Sequence, residues 1–222
     1  EAASVLLEAG ADVNAANDLG ATALFNASLN GSVQMVRTLL DAGANPNVKL
    51  LAGETPVMTG ARTGSPEVLK LLLAAGGDPN VRGTRGQTAL MWAAGLGHSD
   101  VVAALLDHGA DVHARSRVRE QYVKSEKEQD SHPSYKYWIE QGGNTALMFA
   151  ARSGDIRSAQ LLVEAGADIN EVSAFGTSPA IMSIHGGNAE VLDFLLESGA
   201  DPESNASGHT ALHAAVLRGS LD

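Results

Sequence analysis

Apolar residues fall along this chain in short paired bursts, separated by glycines and polar turns. Between Gly86 and Ala114 the first burst places Leu90, Ala93 and Ala94 on one face of a short helix. The second, from about Ser99 to Asp107, spaces Val101, Val102, Leu105 and Leu106 as the apolar stripe of another helix. Thr88 precedes the first burst, where its hydroxyl can accept from an unpaired amide of the opening turn. Pro56 and Pro179 follow the equivalent Thr55 and Ser178, and proline at a first helical position forfeits no hydrogen bond. Gly97 and Gly109 supply the left-handed residue that ends a helix. The segment after Gly109 then turns back as an extended arm. One unit is therefore helix, turn, helix and hairpin arm.

The unit repeats at a fixed period. Gly10, Gly43, Gly76, Gly109, Gly166 and Gly199 are spaced by 33, except for one interval of 57. Thr22, Thr55, Thr88, Thr145, Ser178 and Thr210 keep the same register. A period of this length predicts a solenoid, and the long interval predicts one 24-residue insertion between Asp111 and Thr145. The expected division is a partial repeat at 1–17, repeats at 18–50, 51–83 and 84–115, an inserted finger at 116–140, repeats at 141–173 and 174–205, and a partial repeat at 206–222. Both ends of the sequence are expected to cut through repeats.

Helices of this length are marginal in water unless a neighbour covers the apolar face. The cover is expected from adjacent copies, through pairs such as Leu39/Leu40, Leu72/Leu73, Leu105/Leu106 and Leu195/Leu196.

The segments GATALFNAS, GETPVMTGA, GQTALMWAA, GNTALMFAA and GHTALHAAV, with the looser GTSPAIMSI, closely resemble the ankyrin repeat. The V-x-x-L-L and G-A-D-V-N elements that follow strengthen the resemblance. It implies an all-α repeat solenoid: an ankyrin-type stack of helix-turn-helix units with projecting β-hairpin loops and a concave binding face. Two departures stand out. His213 alone occupies the family's T-P-L-H histidine, so the other copies exchange a Thr–His hydrogen bond for apolar packing. Gly60 replaces an alanine, which weakens its helix by roughly 0.5–1 kcal/mol unless a neighbouring backbone must approach there.

The resemblance also implies a protein-binding scaffold that contacts a partner protein through hairpin tips and the inner face of the first helices. Carried onto this sequence, the partner-binding candidates are Leu19, Glu54, Arg62, Arg85, Gln87, Asn144, Arg152, Phe175, His185 and His209. Trp92, by contrast, is expected in the core, facing a neighbouring repeat.

The insertion is compositionally distinct. It carries Tyr122, Tyr135, Tyr137 and Trp138, and alternation around 115–119 and 135–139 predicts two strands of an elongated hairpin with a charged distal loop from Lys124 to Pro133. Tyr135, Tyr137 and Trp138 are candidate anchors for a partner, since aromatic residues are enriched at interfaces. The alternative is that Tyr137, Trp138 and Ile139 fold down onto a repeat.

Charge and chemistry narrow the function. The chain has 15 Lys+Arg against 26 Asp+Glu, a formal net charge of −11. The insertion is neutral, so the repeats carry the whole excess. An acidic body opposes binding to nucleic acid and favours a cationic patch on a protein partner. No apolar run approaches the ~18–20 residues that span a membrane, so no membrane partner is expected. With no cysteine there are no disulfides or thiolate metal sites.

No phosphate-loop, H-E-x-x-H or G-x-S-x-G motif occurs, so no catalytic residues and no cofactor are assigned. The aspartates Asp12, Asp78, Asp111, Asp168 and Asp201, with Asn45, are expected to accept backbone amides at turns rather than to hold a cation. Asn14, Asn47, Asn80 and Asn170 are expected to tie the arms together, with His113 and Glu203 breaking the series. His209 and His213 are a poor metal pair, since His209 precedes its helix. The reading is a non-enzymatic, monomeric interaction scaffold. The alternatives are a structural spacer or a module that self-associates through the insertion, with an enzyme or small-molecule site a more distant one.

Overall fold

In a computed structural model, residues 2–124, 136–204, 206 and 208–219 are described, without the side chains of Val123, Lys124, Lys136 and Tyr137. The elements in order are α1 (Ala2–Glu8), α2 (Ala23–Leu29), α3 (Val33–Asp41), α4 (Pro56–Thr63), α5 (Pro66–Ala74), α6 (Ala89–Gly95), α7 (Ser99–Asp107), β1 (Arg119–Lys124), β2 (Lys136–Gln141), α8 (Ala146–Ser153), α9 (Ile156–Glu164), α10 (Pro179–Gly186), α11 (Ala189–Glu197) and α12 (Ala211–Arg218). The even-numbered helices open the units and pack in one row, α2 on α4, α4 on α6, α6 on α8, α8 on α10 and α10 on α12. Helices α3, α5, α7, α9 and α11 form a second row behind them.

Each opening helix starts for the reason its sequence gives. Thr22, Thr55, Thr88, Thr145, Ser178 and Thr210 are extended, and each hydroxyl accepts from the amide three residues on, at 3.2–3.5 Å. Only at Thr210 is there a reciprocal cap, with His213 Nδ1 lying 2.8 Å from the hydroxyl and 3.3 Å from the backbone nitrogen. Elsewhere Met58, Met91, Met148 and Ile181 fill the histidine's place and are almost fully buried. Leu72, Leu105, Leu147, Leu162 and Leu195 belong to one core running between the two rows, and Ile181, Ile184 and Ala214 form a smaller cluster at the last opening helices.

The arms are tied by a side-chain ladder. Asn14, Asn47, Asn80 and Asn170 each accept from a backbone amide of the next unit, that of Asn45, Asp78, Asp111 and Asp201, at 2.7–2.8 Å. Their amide groups donate to the carbonyls of Gly43, Gly76, Gly109 and Gly199. The aspartates, with Asn45, accept from the amide two residues on at 2.8–2.9 Å. These carboxylates are thus occupied in turns. His113 breaks the ladder beside the insertion, and Arg115 spans that junction instead. Its guanidinium pairs with Glu171 at 3.2 Å and donates to the carbonyls of Gly143 and Val172.

The insertion leaves the array inside a hairpin tip. In the uninterrupted tip, Ser173 Oγ accepts from Thr177 N, four residues away. Ser116 Oγ makes the same bond to Asn144 N, 28 residues away. The backbone bonds match too: Gly176 N donates to Ser173 O, as Gly143 N donates to Ser116 O. The chain therefore leaves the turn after Ser116 and re-enters it at Gly143. Strands β1 and β2 pair antiparallel, with Arg119 opposite Gln141 and Tyr122 opposite Trp138. The strands begin further out than the alternation from Arg115 indicated, because Ser116 and Arg117 bond to the array. Tyr135 and most of the distal loop lie outside the described residues.

Candidate functional site

Hairpin tips, opening helices and the root of the finger meet at the centre of the array. Arg117 is held there by its main chain. Its amide donates to Arg85 O at 2.8 Å, and Arg82 donates to Arg115 O. The close approach is possible only because glycine flanks it on both sides. A Cβ at Gly86 would lie 2.5 Å from Arg117 N, and one at Gly142 2.1 Å from Arg117 O. Gly142 in turn accepts from Ala174 N of the next tip at 3.0 Å. The finger is thus stitched into the row of tips.

This junction encloses a cavity of about 420 Å³, open on one side, between Thr84, Arg85, Gln87, Ser116, Arg117, Arg119, Gln141, Gly142, Asn144 and Phe149. A second recess of about 320 Å³ adjoins it and shares Thr84, Arg85 and Gln87, with Glu54 and Trp92 on its far side. Arg62 lies 5.4 Å over the Trp92 ring and pairs with Glu54 at 3.0 Å. Together the two recesses form one groove along the tips, floored by the half-buried rings of Trp92 and Phe149.

The structure gathers Glu54, Arg62, Arg85, Gln87 and Asn144 of the sequence-derived candidates around this groove. The others are dispersed. Leu19 is exposed at the first tip. Phe175 is half exposed in a shallow pocket with Ile139 and Glu140. Arg152 is exposed on α8 outside the groove, and its carbonyl accepts from Asn188. His185 lines a small pocket with Leu217 and Arg218 near the last opening helix, and His209 sits edge-on to His213.

On the finger, Trp138 is 65% exposed and meets Tyr122 edge-to-face with ring centroids 5.2 Å apart, so it does not fold down onto a repeat. Ile139 does reach the next tip, beside Val172 and Ala174. The main chain of Tyr137 pairs with Val123; its side chain and Tyr135 lie outside the description.

Trp92 corrects the expectation of a core residue. Of its equivalents, Thr59 and Ala214 are buried, Phe149 and Met182 half-buried and Asn26 exposed, so the position lies at the edge of the core; the half-buried Trp92 ring faces Arg62 of the neighbouring unit and lines the groove. Sequence reasoning also passed over Arg117, Arg119 and Phe149. Alternation in the insertion marked the first two as strand residues; the bond of Arg117 N to Arg85 O returns Arg117 to the array, and Arg119, opposite Gln141 at the start of β1, lines the recess beside it. Among the described residues, no His/Asp/Glu group of three or more is arranged to hold a metal, and no helix is long and apolar enough to cross a membrane.

Comparison with known proteins agrees with the architecture. Family models described as ankyrin repeats match residues 43–116 and 147–222 (three copies) and 1–40 (many copies). The chain is similar to Ankyrin repeat and SAM domain-containing protein 6 of Rattus norvegicus, 36% identical over 90 residues that span 40% of this chain and 10% of that protein. It is also similar to Cyclin-dependent kinase 4 inhibitor B of Rattus norvegicus, 37% identical over 83 residues, spanning 36% of this chain and 63% of that protein. A third relative is the transient receptor potential cation channel subfamily A member 1 homolog of Caenorhabditis elegans, 34% identical over 77 residues, spanning 35% of this chain and 6% of that one. The matched stretch thus covers less than two thirds of each relative. Ankyrin repeats are protein-interaction modules. With most of its length matched in register, the chain belongs to the ankyrin-repeat family.

Proposed function

We propose that this protein is an interaction scaffold that holds a partner protein in the central groove, with the root of the finger forming one wall. The observation that carries the reading is the convergence of three kinds of element on one recess. Tip residues Arg85 and Gln87, opening-helix residues Trp92 and Phe149, and finger residues Arg117, Arg119 and Gln141 line a continuous surface. Arginine over tryptophan beside a groove is a chemistry enriched where proteins bind proteins. Breadth of contact, with no catalytic group, supplies the affinity.

The test replaces residues 117–142 by Thr-Arg, copying the uninterrupted tip at Thr84–Arg85, and compares affinity capture with the intact chain. A partner held by the intact chain and lost by the excised one supports the reading. A partner held equally by both moves recognition away from the finger. A second reading, self-association, draws on the two unpaired edges of β1 and β2 and the exposed Tyr122–Trp138 pair. Light scattering that stays at the monomer mass at high concentration excludes it.

A further inference from the structure

The electrostatics of the groove run against those of the molecule. The chain carries 26 acidic residues against 15 basic, yet the larger of the groove's two recesses is lined by three arginines, Arg85, Arg117 and Arg119, and by no carboxylate. The remaining polar lining, Thr84, Gln87, Ser116, Gln141 and Asn144, is uncharged. In the adjoining recess Glu54 is already taken by Arg62. Among the described residues no acidic side chain pairs with Arg85, Arg117 or Arg119, whereas Arg62, Arg115 and Arg157 each have one.

The fold produces this segregation by two devices. The backbone bond from Arg117 N to Arg85 O sets two arginines side by side on neighbouring tips, a juxtaposition of like charges that is unfavourable on its own. In the finger, alternation along the strands sets Arg119 and its partner Gln141, which line the groove, on the opposite face of the hairpin from Glu120 and its partner Glu140, which do not line it. The acidic residues nearest in sequence are thereby removed from the recess.

We propose that the occupant of this groove is an acidic segment of a partner protein, its carboxylates set between Arg85, Arg117 and Arg119 with adjoining side chains on Phe149 and Trp92. Guanidinium groups bind carboxylates through paired N–H donors, and Gln87, Gln141 and Asn144 offer donors and acceptors to the segment's backbone. A short acidic segment fits because the positive region is local. A nucleic acid, charged along its whole length, would run from the recess onto the acidic repeats and be repelled. The inference rests on the reading of the groove as the partner surface, and it reverses the expectation of a cationic partner drawn from net charge.

The experiment is fluorescence anisotropy of the full chain with labelled hexaglutamate, hexaglutamine and single-stranded hexathymidylate. Hexaglutamate is expected to bind and to be released by salt, and hexaglutamine is not. Arg85→Glu and Arg119→Glu should each weaken hexaglutamate by about tenfold. Arg37→Glu, which makes the same change in net charge on exposed α3, should leave it unchanged. All three arginines are exposed, so thermal melts should match the parent.

Equal binding of hexaglutamine, equal loss with Arg37→Glu, or tighter binding of hexathymidylate through the same arginines overturns the proposal. So does absence of hexaglutamate binding. If Arg85→Glu then still abolishes partner capture, the groove stands and only its acidic occupant falls. If capture survives Arg85→Glu as well, the groove itself is the wrong surface.

Discussion

Two glycines of this chain look alike in sequence and differ completely in structure. Gly60 lies within α4 in place of an alanine. A Cβ there would meet only side chains, Leu72 at 3.4 Å, Val68 at 3.6 Å and Leu69 at 3.9 Å, which is ordinary contact. Gly60→Ala should therefore raise stability by about 0.5–1 kcal/mol, read as a higher denaturation midpoint with unchanged slope. Gly142 has φ +109° and no space for a Cβ beside the Arg117 carbonyl. Gly142→Ala should cost about 1–3 kcal/mol and loosen the finger's root, seen as faster amide exchange at Arg117 and Gly143. A result in which both substitutions act alike would contradict the packing described.

At the scale of elements, what was legible in the sequence was what repeats. The cap at Thr88, the turn at Asp111 and the rung at Asn80 occur in several copies, so their spacing alone fixed their roles. Trp92 does face a neighbouring unit, but facing a neighbour is not the same as being in the core: at this position Asn26 is exposed, Phe149 and Met182 are half-buried, and only Thr59 and Ala214 are buried. Arg117 and Arg119 were missed because alternation in the insertion marked them as strand residues; the bond of Arg117 N to Arg85 O repeats the 32-residue step of Leu51 N to Leu19 O, but the break in period at the insertion hid it.

The same contrast makes a prediction. Leu147 is fully buried between neighbouring units, so Leu147→Ala should cost about 2–5 kcal/mol and lower protection in α6 and α10 as well as α8, since stability in a stack passes between neighbours. Trp138→Ala removes a large but exposed ring whose contact is Tyr122. It should change stability by about 0.5–1.5 kcal/mol at most, leaving the array's melting cooperative.

For the whole molecule, the stack is a ruler on which the finger marks one place. Arms are joined by asparagine rungs on either side, while at the insertion Arg115 reaches across to Glu171 and to two carbonyls. The array therefore continues through the interruption, with the finger rooted at its centre. That continuity gives the groove a fixed shape and keeps three arginines together despite a net charge of −11.

The measurement that tests this account most directly is site-specific photo-crosslinking in the source organism's lysate, with a photoreactive phenylalanine at Gln87 in the groove or at Gln160, exposed on α9 in the second row. One adduct of defined mass is expected at Gln87, suppressed by Arg85→Glu, and none at Gln160. An adduct at Gln160 alone would place the partner on the opposite side of the stack and contradict it.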